Sequence, residues 1–176
     1  MMKDALWIFA TMFALAAGWT DWRSRRIPNW LTVPAAVLGL AINTAISGWA
    51  GARASLLGLG LGLALLLPFV LIRSLGAGDW KLAGALGAFF GTDRLLAILF
   101  VTILVAGVMA AVLVVWKKRV RQTLRNIAHL LAALVTLHRP GSQLSLDDPA
   151  ALKVPFGVAM AATVVLYAAG HIWGVV

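Results

Sequence analysis

The chain has no cysteine, no glutamate, a single tyrosine and few charges, 12% of its 176 residues. Without cysteine there can be no disulfide and no thiolate metal site. Without glutamate every carboxylate is an aspartate: Asp4, Asp21, Asp79, Asp93, Asp147 and Asp148. The shortage of charge accompanies 62% hydrophobic residues and a mean hydropathy of +0.94, too little polar surface for a water-soluble globule. The chain therefore reads as a bilayer protein. A net charge of +9 could signal nucleic acid. The lysines and arginines, however, lie in short loops between apolar runs, with no solvated basic face bearing stacking aromatics. Membrane lipid is the expected anionic partner, and nucleic acid is not. His129, His138 and His171 lack ligand spacing, so neither a metal nor a cofactor is expected.

Six apolar runs follow one another, at about residues 5–20, 31–47, 54–72, 75–91, 95–116 and 154–175. About 20 helical residues cross the hydrocarbon core and about 17 suffice with adjustment. The expected fold is all-α, a single polytopic membrane domain over residues 1–176 with about six transmembrane helices. The fourth run is the ambiguous one. It carries Asp79 and Lys81 in its first turns and contains Gly84 and Gly87, so a buried or re-entrant segment is the alternative. If it crosses, twelve of the fifteen Lys and Arg share one side and only Lys3, Arg53 and Arg94 lie opposite. The positive-inside rule then makes the basic side cytoplasmic and both termini external. Trp7, Trp19, Trp30, Trp49, Trp116 and Trp173 fall near run ends, as interfacial indoles do. From Val120 through Leu134 apolar residues recur in steps of four and three. That spacing predicts an amphipathic helix at the cytoplasmic interface within a segment of about 117–153. A signal peptide ending near Ala17 is a competing reading of the first run, and it would make Asp21 part of a mature N-terminus.

Asp21 and Asp79 each stand at the edge of an apolar run, where ionisable groups are costly unless paired, hydrated or functional. Two crossings separate them, so both come to the cytoplasmic side and can meet. Asp4 and Asp93 belong to the opposite face, and Asp147-Asp148-Pro149 has the composition of a turn or helix cap. Two carboxylates within a few ångströms cannot both ionise easily and share a proton. One ionised and one protonated aspartate can activate a water and polarise a carbonyl, which is aspartic protease chemistry. The simpler alternative is an interfacial ion pair, Asp21 with Arg23 or Arg25 and Asp79 with Lys81. Gly76 and Gly78 beside Asp79 would permit unusual backbone conformations and close approach of another chain, although a helix-packing or turn role is equally open to them.

Asp21 with Arg26-Ile27-Pro28-Asn29-Trp30-Leu31-Thr32, and Gly76-Ala77-Gly78-Asp79-Trp80-Lys81-Leu82 with Gly87 and Gly91 beyond, resemble the two signature regions of the type IV prepilin peptidases. These are GxGD-type intramembrane aspartic proteases. Lys153-Val154-Pro155-Phe156-Gly157-Val158-Ala159 is similar to a third family patch at the start of the last helix. The resemblance implies that Asp21 and Asp79 are the catalytic pair, with Gly76, Gly78, Lys81, Pro28, Asn29, Pro155 and Gly157 supporting the site or binding substrate. It further implies removal of a short basic leader from a prepilin or pseudopilin precursor, on the cytoplasmic side of a bacterial inner membrane. The larger bifunctional relatives carry a cysteine-containing insertion and N-methylate the new terminus. Here about ten residues separate the first two runs and there is no cysteine, which resembles the short peptidase-only branch serving Flp or tight-adherence pili. Alternatives are a preflagellin-type peptidase or a proton-coupled transporter using the same aspartates. A transporter predicts an internal repeat, and none is found. The sequence does not give the oligomeric state.

Overall fold

A computed structural model describes residues 2–71, 75–121, 123, 125 and 154–174. Four helices appear among them, with no strand: α1 (Met2–Ser24), α2 (Asn29–Leu71), α3 (Ala77–Trp116) and α4 (Phe156–Ile172). The predicted amphipathic helix after Val120, together with Asp147, Asp148, His129, His138 and Lys153, lies largely or wholly outside the described residues.

Two glycines divide the long helices. Gly48 in α2 has φ 57° and ψ −136°, and Gly91 in α3 has φ 69° and ψ −169°, conformations that residues with a Cβ rarely adopt. Each falls at a boundary between the apolar runs of the sequence. At Gly48 the chain turns back on itself. Gly39, before the break, packs on the backbone of Ala88 and Phe89, and Gly58, after it, packs on Gly87 and Gly91. In a straight helix those two glycines would be about 28 Å apart, too far to meet one turn of α3. Gly51 closes the bend against the carbonyl of Asn43.

The first half of α3 is the centre of the molecule. Every residue from Leu82 through Phe90 is buried, which identifies the ambiguous fourth run as the core helix. Small residues let the backbones crowd there. Gly58 and Gly62 of α2 lie against Gly87, Ala83 and Gly84, so their spacing is a packing motif. On α1, Ala10, Ala14 and Ala17 are fully buried, and a Cβ at Gly18 would stand 2.8 Å from that of Ala161 on α4. Phe13 stacks on Phe89 with ring centroids 6.2 Å apart. The Asn43 amide donates to the carbonyls of Ala88 and Phe89, each at 2.9 Å, and the Ser55 hydroxyl also donates to Ala88. These carbonyls immediately precede the break at Gly91, where the helical ladder is interrupted and outside donors are needed.

The outward faces are apolar. Ile8, Met12, Leu15, Trp19 and Trp22 form an exposed stripe along α1 at steps of three and four. Phe100, Leu104, Val108, Val112 and Val115 do the same on α3. Contiguous apolar surface of this extent suits lipid and not water. Asn29–Leu71 and Ala77–Trp116 are each long and apolar enough to cross a bilayer. Trp30, Trp49, Trp116 and Trp173 are exposed near helix ends or bends, as interfacial indoles would be. Trp7 departs from that expectation. It is 5% exposed, stacked on His171 with centroids 5.0 Å apart, tilted against Phe90 at 4.7 Å and covered by Arg94 at 5.7 Å. Neighbouring rings from α3 and α4 enclose it more fully than the lipid boundary could.

Candidate active site

Three helix ends converge at one end of the bundle. Asp21 lies in the last turn of α1 and is 6% exposed. Asp79 lies in the first turn of α3. Pro155 precedes α4, and its carbonyl accepts from the amides of Val158 and Ala159 at 3.2 and 3.3 Å, which starts that helix. The amides of the first turn of any helix have no partner within it. One of them, Gly157 N–H, donates to Asp21 Oδ2 at 2.9 Å.

Asp79 is near enough to the Gly157 amide, the Gly76 amide and Asp21 for each to influence its carboxylate. Both carboxylates thus lie near the start of α4. Oδ1 of Asp79 is buried with no hydrogen-bond partner among the described residues. The Arg25 guanidinium is near enough to act on Asp21. Lys81 donates from Nζ to Oδ1 of Asn29 at 2.8 Å, tying the start of α3 to the start of α2. The carbonyl of Pro28 accepts from the amides of Leu31 and Thr32 at 3.1 and 3.3 Å, beginning α2. All nine residues singled out in the sequence, from Asp21 to Gly157, therefore sit at this one end.

The glycines serve by close approach. Gly76 has φ −69° and ψ 142°, open to any residue, and neither it nor Gly78 has a positive φ, contrary to the expectation of an unusual backbone. A Cβ on Gly76 would stand 3.1 Å from Asp79 Oδ2. On Gly78 it would stand 3.1 Å from both N and Cβ of Ile27, and on Gly157 it would meet Asp21 Cβ and Oδ2 at 3.0 Å and Ile27 Cδ1 at 3.1 Å. Ile27 falls within the first signature region, but the sequence assigns it no role of its own. The available signal was an isoleucine set between Arg26 and Pro28 in an otherwise polar stretch.

The other acids are elsewhere. Asp4 lies 3.6 Å from His171 Nε2, near Trp7 and Arg94 at the far end of the bundle. Asp93 accepts from the hydroxyl of Thr92 at 3.1 Å.

The all-helical scaffold, with two helices long and apolar enough to cross a bilayer, fits a membrane protein and holds Asp21 and Asp79 at one end. Residues 8–113 match the Type IV leader peptidase family, and the chain belongs to that family of proteases. The matched stretch includes Asp21, Gly76, Gly78, Asp79 and Lys81 and stops before Pro155 and Gly157. No curated protein and no solved structure matched the chain.

Proposed function

We propose that this peptidase is a GxGD-type intramembrane aspartic endopeptidase that removes the short basic leader of type IV pilin-like precursors at the cytoplasmic face of a multi-pass inner-membrane domain. The observation that carries the reading is the placing of Asp21, held by the Gly157 amide at 2.9 Å, and Asp79 at the same end of the bundle, near enough to influence one another. The hairpin at Gly48 and the break at Gly91 support six crossings, and the basic loop Arg23-Ser24-Arg25-Arg26 beside Asp21 supports a cytoplasmic site.

The chemistry follows from the pair. The ionised carboxylate takes a proton from a water as that water attacks the scissile carbonyl carbon. The protonated partner hydrogen-bonds to the carbonyl oxygen as negative charge develops, and proton return to the amine lets the C–N bond break. The Gly157 N–H holds one oxygen of Asp21, which leaves its other oxygen for the water. Asp79 presents Oδ1, the buried oxygen with no partner among the described residues. The linker between α1 and α2 spans only residues 25–28, which supports a peptidase without an inserted methyltransferase domain at that point.

Co-expression with a tagged pilin-like precursor, followed by mobility shift, tests the proposal. Leader removal that disappears in Asp21→Asn and separately in Asp79→Asn, at unchanged protein level, supports it. Persistent cleavage in either variant contradicts it.

A further inference from the structure

Resting on the reading of Asp21 and Asp79 as the working pair, we propose that Ile27 is a positioning residue: its side chain is the spacer that sets how far the start of α3 stands from the start of α4.

The linker leading to it is built to hold one side chain still. Arg25 takes a left-handed conformation at φ 53°, and its amide donates to the carbonyl of Asp21 at 2.8 Å. The Ser24 hydroxyl donates to the carbonyl of Thr20 at 2.7 Å and to that of Arg26 at 3.3 Å. Beyond Ile27, the Pro28 carbonyl is fixed by the first amides of α2. Ser24, Arg25, Arg26 and Asn29 are exposed, whereas Ile27 is 7% exposed and belongs to the apolar core. A backbone pinned on both sides gives its side chain a fixed root.

Ile27 then lies between the two corners that place the acids. Its root, N and Cβ, lies where a Cβ on Gly78 would come within 3.1 Å. Its tip, Cδ1, lies where a Cβ on Gly157 would come within 3.1 Å. Gly78 immediately precedes Asp79, and Gly157 carries the amide that binds Asp21. The length of one isoleucine therefore separates the backbone that aims one carboxylate from the backbone that holds the other. Interiors pack densely enough that shortening such a spacer moves its neighbours or leaves a gap. Because reacting groups must be held to within a fraction of an ångström, the spacing governs turnover more than binding.

The test uses the full-length protein in liposomes with a purified tagged pilin-like precursor. Ile27→Ala is expected to lower kcat about tenfold with KM within about twofold, and Ile27→Val to do so less. Gly157→Ala is expected to cost about a hundredfold, and adding Ile27→Val, which removes the clashing Cδ1, to restore about tenfold of it. A second readout needs no substrate. The chain has no cysteine, so nitroxide labels at Ala77→Cys and Ala162→Cys, both exposed, report the spacing of α3 and α4 directly. Their distance distribution should shift or broaden in Ile27→Ala. An unchanged distribution, unchanged turnover in Ile27→Ala, or purely additive losses in the double variant would overturn the proposal. If the unaltered protein cleaves no precursor, the protease reading fails, and the label distances alone decide the role of Ile27.

Discussion

The main-chain amide of Gly157 donates to Oδ2 of Asp21 across 136 residues of sequence, joining the last turn of α1 to the first turn of α4. The contact makes α4 part of the candidate site, although the family match ends before that helix begins. It also explains a glycine at this position. A side chain there would occupy the space taken by Asp21 and Ile27.

Gly157→Ala should therefore damage the site more than the fold. The added methyl would stand 3.0 Å from both Cβ and Oδ2 of Asp21, closer than those atoms can stay. The expected result is a loss of about a hundredfold in precursor cleavage, with the melting temperature in detergent lowered by only a few degrees. Cleavage at the original rate would show that the carboxylate does not depend on this approach.

Asn43→Ala should do the reverse. Its amide answers the carbonyls of Ala88 and Phe89 at the interruption of α3, and Ser55 supplies a second donor to Ala88 alone. Removing it strands Phe89 O, at a cost of about 1–3 kcal/mol. Thermal unfolding measured with Asn43→Ala and Ser55→Ala should give the larger loss for Asn43→Ala, since Ala88 keeps a donor when Ser55 is truncated.

The glycines sort by what surrounds them. Gly58→Ala and Gly87→Ala each place a methyl against the other residue's backbone, which cannot swing aside as a side chain can. Both should lower the melting temperature and reduce the folded yield. Gly60→Ala and Gly107→Ala meet nothing within 4 Å and should leave stability unchanged or raise it by up to about 1 kcal/mol. Equal effects across the four would contradict the close crossing of α2 and α3.

Lys81 and Asn29 form one link, so their truncations should not add. Lys81→Ala, Asn29→Ala and the double variant, compared by thermal unfolding, should each lose less than about 1 kcal/mol, because the 2.8 Å bond is exposed. A double variant showing the sum of two separate losses would mean that the residues act apart.

Much of this architecture could be read in the residues. The apolar runs anticipate an all-helical chain, and the breaks at Gly48 and Gly91 fall where one run gives way to the next. Asp21 and Asp79 stood out because carboxylates at the edge of apolar runs demand a reason. Other features left no such trace. The hydrogen bond to Asp21 comes from a backbone amide, which every residue except proline possesses. Ile27 stands out in the sequence only as an apolar residue in a polar linker, and its spacing role depends on Gly78 and Gly157, far away in sequence. Trp7 is buried although an indole near a run end suits an interface, because its enclosure depends on Phe90 and His171, far away in sequence.

Whether Asp21 and Asp79 work as one unit is decided by leader cleavage in the two single variants and their double variant. Groups that share one step are not additive when removed. Asp21→Asn and Asp79→Asn should each reduce cleavage by about 10²-fold or more, and Asp21→Asn with Asp79→Asn together should be no worse than either alone. Retained cleavage in one single variant, or a double variant slower by the product of the two losses, would contradict it.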